Sequence, residues 1–280
     1  MSMAERDVCL DDVTLRIAEA GTGQRPLLLV HGFTGAKEDF TDWLDQLAAL
    51  GWHAVAPDLR GHGGSSQPAR ESAYSFELMA DDCLRLADAL GWDSFVLLGH
   101  SMGGMIAQFM ALAAADRLAG LVLMDTSSGP MANLDPDLVN AAVTIVRTEG
   151  MDRLAQILAE VDGPLITPAH RRLLAERPGY AEFGDRKLRG ASPAMYAAMA
   201  PVFMTVEDRL EKLTPLVASL PVLVIVGELD QPFIGPARRM TATLGHGTLA
   251  IISGAGHCPQ FENSAEWWTA LTTYLAALPA

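Results

Sequence analysis

Residues 95–104 read Phe95-Val96-Leu97-Leu98-Gly99-His100-Ser101-Met102-Gly103-Gly104. An apolar, strand-like stretch runs into a G-x-S-x-G turn, and a helical pattern follows. So sharp a turn holds its serine in a strained backbone conformation. The residues two before and two after must then lack bulk, so that strand and helix can close on each other. The hydroxyl is thereby presented at the carboxyl end of a sheet, beside the positive end of a helix. The preceding strand and the small residues that follow (Gly103, Gly104, Ala107, Ala111) separate this pattern from a tight βα turn with an incidental serine. Ser101 is the candidate nucleophile.

Outward from this turn, short apolar runs recur at Leu27–Val30, Ala54–Ala56, Leu121–Met124, Val222–Val226 and Leu249–Ile252. Runs of this length without alternation predict strands buried on both faces, as in a parallel sheet. Between them lie amphipathic helical segments. Over 75–90 the apolar face is Met79, Cys83, Leu86 and Leu90, with Ser75 as N-cap and Gly91 past the end. Over 264–278 it is Trp268, Leu271, Leu275 and Leu278. Strand and helix alternate, which predicts an α/β fold with a mostly parallel central sheet flanked by helices. The alternation breaks over 127–217, which carries helical periodicity, several prolines and no convincing strand. The expected organisation is a core of 1–126 and 218–280 with a helical cap at 127–217.

A serine hydroxyl attacks a carbonyl only if a base takes its proton, and that base needs an acid to orient it. Where the nucleophile sits on such a strand–turn–helix, acid and base follow in loops after later strands. Val222–Val226 runs into Gly227-Glu228-Leu229-Asp230, which makes Asp230 the candidate acid; Glu228, and Asp125 at the end of Leu121–Met124, compete for that role. Leu249–Ile252 leads into Ser253-Gly254-Ala255-Gly256-His257, which makes His257 the candidate base. The oxyanion of a tetrahedral intermediate needs two donors. The backbone N–H groups of Met102, just after the nucleophile, and of Phe33, just after the His31-Gly32 turn, are expected to supply them.

The set of motifs at 31–32, 58–66 (Asp58-Leu59-Arg60-Gly61-His62-Gly63-Gly64-Ser65-Ser66), 99–104, 227–230 and 254–257 resembles the α/β-hydrolase-fold superfamily over essentially the whole chain. Within it the chain is similar to serine esterases and lactonases with a helical cap. The resemblance implies a structural role for Asp58 and His62, support of the turn and elbow by His31 and His100, and selection of substrate by the cap. Met131, Met199 and Phe203 are candidate pocket residues, beside further cap apolar residues at Met195, Tyr196 and Met204; ordinary packing between cap helices is the competing account of all of them. The excess of six Arg/Lys over three Asp/Glu across 170–189 reads as a solvated helix face rather than a carboxylate site.

The expected activity is cleavage of a carboxylic ester or lactone through an acyl-enzyme, with no metal and no organic cofactor. The resemblance also admits a carbon–carbon hydrolase of the meta-cleavage-product type and a cofactor-free perhydrolase. Relatives of the first kind usually carry more Gly and Ser in the first oxyanion loop than His31-Gly32-Phe33-Thr34. Relatives of the second usually carry a proline where Thr34 and Gly35 stand. Epoxide hydrolases and haloalkane dehalogenases of this fold place aspartate at the elbow, against which Ser101 argues. A non-enzymatic ligand receptor on the same scaffold would be marked by a missing triad member, and none is missing.

The net charge of −14 over 280 residues disfavours nucleic acid and anionic membrane surfaces as partners. The cap's ten Lys/Arg nearly balance its twelve Asp/Glu, so the acidity sits on the core. Cys9, Cys83 and Cys258 are odd in number, widely spaced and without metal-ligand spacing, which fits a reducing cytoplasm. The first residues do not read as a signal peptide, and no stretch reads as a membrane span. The expected partner is a small, apolar ester or lactone, and the expected state is a monomer or homodimer.

Overall fold

The computed structural model describes residues 2–131, 134–161 and 166–279. Residues 132–133 and 162–165 of the segment expected to form the cap, including Pro164, lie outside them.

The strands are β1 (Ala4–Leu10), β2 (Val13–Ala20), β3 (Arg25–Val30), β4 (Trp52–Pro57), β5 (Phe95–His100), β6 (Leu118–Met124), β7 (Val222–Gly227) and β8 (Gly247–Ile252). They form one sheet in the order β1-β2-β4-β3-β5-β6-β7-β8. The β1–β2 and β2–β4 pairs are antiparallel, and every pair from β4 to β8 is parallel. The core helices are α1 (Thr41–Ala49), α2 (Phe76–Ala89) and α3 (Met102–Ala114). Between β6 and β7 come α4 (Pro136–Thr148), α5 (Gly150–Leu158), α6 (Pro168–Glu176), α7 (Tyr180–Arg189), α8 (Pro193–Met199), α9 (Val202–Thr205) and α10 (Leu210–Leu213). The chain ends with α11 (Gln231–Thr243), α12 (Pro259–Glu262) and α13 (Ser264–Ala277). No strand lies between β6 and β7 among the described residues.

Side chains alternate across a strand, so a strand with helices on both faces must be apolar throughout. On one face, Leu28, Val30, Leu97, Leu121, Leu123 and Val224 pack with α2, α3 and α11, and this cluster continues into α4, α8 and α9. On the other, Leu27, Leu29, Leu98, Val122 and Ile225 pack with Leu44 and Leu47 of α1 and with Trp267, Leu271 and Leu275 of α13. The long apolar runs are the sequence consequence of these two cores.

Three local readings need correction. The two N-terminal strands were not expected; β1 carries charge on its exposed face and is held to β2 by cross-strand ion pairs such as Arg6–Glu19 at 2.5 Å. β8 is not buried on both faces: it pairs only with β7 at the sheet's edge, and Ile251 is 38 % exposed. The buried tryptophan of α13 is Trp267; Trp268 is only partly buried and stacks on Trp43, 5.2 Å between centroids. On α2, Ser75 caps as its residue type suggests, its hydroxyl accepting from the Leu78 N–H at 3.2 Å.

Candidate active site

The carboxyl ends of β3, β5, β6, β7 and β8 lie side by side, and ladder bonds carry the strand register into the loops beyond. Ser101 N–H donates to Met124 O, Asp125 N–H to Ile225 O, Glu228 N–H to Ile252 O and Leu229 N–H to Ala255 O, all at 2.8–2.9 Å. Residues 31–35, 101, 125, 228–230 and 253–257 are thereby gathered at one edge, where open α/β sheets bind their ligands.

Ser101 stands between β5 and α3 with φ 54° and ψ −115°. That region is costly for a residue with a Cβ, by roughly 1–3 kcal/mol. The surroundings enforce it. A Cβ on Gly103 would overlap the Val30 carbonyl, and one on Gly104 would lie 2.6 Å from the Thr126 side chain. Thr126 Oγ1 also donates to the Ser101 carbonyl at 2.7 Å. A Cβ on Gly32 would come within 3.2 Å of Ser101 Cβ, so the turn carrying Phe33 lies directly against the serine. Met102 opens α3, where an N–H has no partner within the helix. The residue after Phe33, Thr34, also has positive φ (54°), and its Oγ1 donates to the Phe33 carbonyl at 2.7 Å.

His257 and Asp230 meet across the ends of β8 and β7. His257 Nδ1 lies 2.7 Å from Asp230 Oδ2, and both residues are buried. The His257 ring packs 4.9 Å from Phe233 of α11, and its backbone carbonyl accepts from His100 Nε2 at 2.7 Å. Asp125, the competing acid, is fully buried at φ 44°; its Oδ1 accepts from the Gly227 N–H at 2.9 Å. Glu228 faces outward instead, accepting from Gly254 N–H at 2.8 Å. The ligating atoms of Asp125, Asp230 and His257 all lie within 4.8 Å of one another, the one such group of metal-capable side chains among the described residues. Cys258, next to His257, is held as a neutral thiol because burial pushes its pKa well up.

The supporting residues are also in place. Asp58 is buried and accepts from the Lys37 and Gly64 N–H groups at 2.8 and 2.9 Å. His31 Nε2 accepts from the Leu59 N–H at 3.0 Å, so its Nδ1–H donates to the Gly32 carbonyl at 2.8 Å. Burial pushes the His31 pKa down and that of His62 well down, so both are neutral.

Met199 and Phe203 are buried and Met131 is partly buried, all in the apolar cluster that contains Phe33. The Phe33 ring lies 4.9 Å from Tyr196 and 5.1 Å from Phe203. The basic stretch 170–189 is spent on contacts within the protein: Arg177 on Asp42 at 2.8 Å, Arg172 on the Glu262 carbonyl at 3.1 Å, Arg189 on Asp185 and Asp152, and Lys187 on Asp39. Sequence reasoning had no signal for the buried Asp39 or for Glu262, which accepts from the Gly256 N–H in the His257 loop.

The sequence profile described as the alpha/beta hydrolase fold matches residues 25–264. The chain belongs to the α/β-hydrolase-fold family. A stretch of 133 residues is 35 % identical to Epoxide hydrolase A of Mycobacterium tuberculosis, matching 47 % of this chain and 41 % of that enzyme. The chain thus spans about two fifths of the length of that curated relative. Among solved structures, a thermophilic esterase from Thermogutta terrifontis is 29 % identical, with TM-score 0.78 and 98 % of each chain covered. The enol-lactonase of Burkholderia xenovorans LB400 shares the fold at TM-score 0.82 and 20 % identity, over 97 % of this chain and all of that one. No helix among the described residues is long and apolar enough to cross a membrane.

Proposed function

We propose that the protein is a serine hydrolase that cleaves a small carboxylic ester or lactone. Ser101 Oγ attacks the carbonyl carbon, and His257 Nε2 takes its proton. Asp230 holds the imidazole through Nδ1–H and stabilises the imidazolium. The Phe33 and Met102 N–H groups receive the oxyanion. His257 then protonates the leaving oxygen, and water, activated by the same imidazole, cleaves the acyl-enzyme.

The observation that carries this reading is the 2.7 Å bond from His257 Nδ1 to Asp230 Oδ2, in a loop that His100, the residue before the strained Ser101, ties to the elbow. With Nδ1 carrying the proton, Nε2 is left as the lone-pair base. The likeness to an esterase at 29 % identity supports the same class. The epoxide hydrolase likeness supports it less, on chemical grounds. A serine that opened an epoxide would form an ether, which water does not cleave at a useful rate, whereas serine on an ester forms a hydrolysable acyl-enzyme.

The helical segment 127–217 is read as the cap, and the Phe33, Tyr196, Phe203 and Met199 side chains as an apolar wall for the acyl group, with Met131 at its margin. The free thiols of Cys9, Cys83 and Cys258 favour a reducing cytoplasm. The test is turnover of p-nitrophenyl acetate and butyrate together with fluorophosphonate labelling. Turnover with label on Ser101 is expected. A protein that is neither labelled nor active on any ester or lactone overturns the assignment.

A further inference from the structure

Two buried oxygens at the site have no hydrogen-bond partner: Asp125 Oδ2 and Asp230 Oδ1. Each belongs to a carboxyl whose other oxygen is used, by Gly227 N–H in Asp125 and by His257 in Asp230. The two groups lie close together, since their ligating atoms and that of His257 fall within 4.8 Å. Buried polar atoms are almost always paired, and two carboxylates this close and this dry are not both ionised. One proton between Oδ2 of Asp125 and Oδ1 of Asp230 satisfies both orphans at once.

We propose that Asp125 is a positioning residue, a neutral carboxylic acid whose Oδ2–H donates to Oδ1 of Asp230. The pair then carries a single negative charge, placed on Asp230, where it faces the imidazole. Asp230 is held from both sides, so its Oδ2 stays aimed at His257 Nδ1 through the catalytic cycle. The proton belongs to Asp125 rather than Asp230 because Asp230 accepts the charge-assisted bond from histidine. The surroundings agree: burial first, then the charges of Asp230 and Glu262, push the Asp125 pKa well up. The other titratable groups facing it are His257 and the neutral thiol of Cys258.

The inference deepens the proposed function and rests on it for its kinetic consequence, but not for the protonation state. Infrared difference spectra of wild type against Asp125→Asn at neutral pH test the latter without any substrate. A protonated-carboxyl C=O band present in wild type and lost in Asp125→Asn is expected; its absence from wild type overturns the proposal even if the enzyme is an active esterase. The kinetic arm compares Asp125→Asn with Asp125→Ala. Asparagine keeps an N–H donor for Asp230 and an oxygen for Gly227, and it tolerates positive φ. It should retain kcat within about threefold, whereas alanine should lose about 10²-fold in kcat, the cost of a slightly misplaced catalytic group, with KM little changed. Asparagine no better than alanine, alanine as active as wild type, or activity abolished by a chelator and restored by zinc would each overturn it. If wild type cleaves no ester, the infrared band alone decides.

Discussion

His100 Nε2 donates to the backbone carbonyl of His257 at 2.7 Å, tying the serine elbow to the histidine loop across the sheet edge. The bond fixes the Nε2–H tautomer and leaves buried Nδ1 without a partner. Burial, aided by His257, pushes the His100 pKa from 6.5 down to about 3. Folded His100 is therefore neutral where the unfolded chain binds a proton. Its contribution to stability is complete above pH 6.5 and is lost as pH falls from there toward 3. Replacing it by glutamine, which keeps a donor for the carbonyl, should flatten the pH dependence of unfolding free energy in that window by about 1.4 kcal/mol per pH unit. Urea unfolding at a series of pH values measures this, and an unchanged slope would show that His100 is charged when folded.

At Ser101, stability and activity are set against each other. The φ of 54° is strained for any residue with a Cβ. Ser101→Ala should lower kcat by about 10⁴–10⁶, as in other triads, with the fold intact. Ser101→Gly should be just as inactive but more stable than the alanine variant by about 1 kcal/mol, since glycine adopts this backbone freely. Equal melting of the two variants would mean that the backbone relaxes at the elbow.

The parallel half of the sheet and the elbow were legible because they rest on local rules. Doubly covered strands such as Val222–Val226 must be continuously apolar, and Gly103 and Gly104 must be small where α3 crosses Val30 and Thr126. β2 was legible in principle, since Val13, Leu15 and Ile17 alternate with Thr14 and Arg16, but continuous apolar runs were the wrong template for a strand at the antiparallel side. β1 hid behind charges whose partners lie on another strand. Asp230 and His257 could be read from sequence in the loops after their strands, with Asp125 as a competitor because it directly ends an apolar run; the bond from His257 Nδ1 to Asp230 Oδ2 sets Asp230 apart. Long-range pairs such as Lys187 with Asp39, 148 positions apart, have no local signature at all.

The Asp58–Gly63 loop rests on a second buried ion pair outside the site. Arg60 embraces Asp82 of α2 through Nε and Nη2, the latter at 2.6 Å, and donates to the Ala73 carbonyl from Nη1. Both side chains are almost wholly buried. Arg85 Nη2 also donates to Asp82 at 2.6 Å, and Asp12 lies 3.6 Å from Arg60, but these outer partners are more exposed. Removing the Asp82 charge therefore leaves the buried Arg60 without its close partner, at a cost of about 3–5 kcal/mol. Asp82→Asn should lower the unfolding free energy by that amount in urea titrations, and Asp82→Leu should do no better. A loss under 1 kcal/mol would place the guanidinium in contact with solvent.

Several ion pairs join the helical segment 127–217 to the core, among them Arg147–Glu71 and Arg177–Asp42, and the one between Lys187 and Asp39 is the most buried. Lys187 on α7 pairs with Asp39, in the turn after β3, and its ammonium also lies 4.1 Å from the Phe183 ring centroid. Asp39 is buried and bonds the Ala36 N–H at 3.2 Å through its other oxygen. Burial alone would raise its pKa, but the Lys187 charge outweighs this and holds the carboxyl below its usual value. Lys187→Met therefore leaves an unpaired charge beneath the helix, and about 3–5 kcal/mol should be lost. Amide exchange in α7 should speed up more than in the sheet, because the clamp joins the helical segment to the core and not the core to itself. Adding Asp39→Asn to Lys187→Met should recover part of the loss, since the neutral amide can stay buried and still accept from Ala36. A double variant weaker than Lys187→Met alone would mean that Asp39 serves the turn after β3 through its charge, independently of α7.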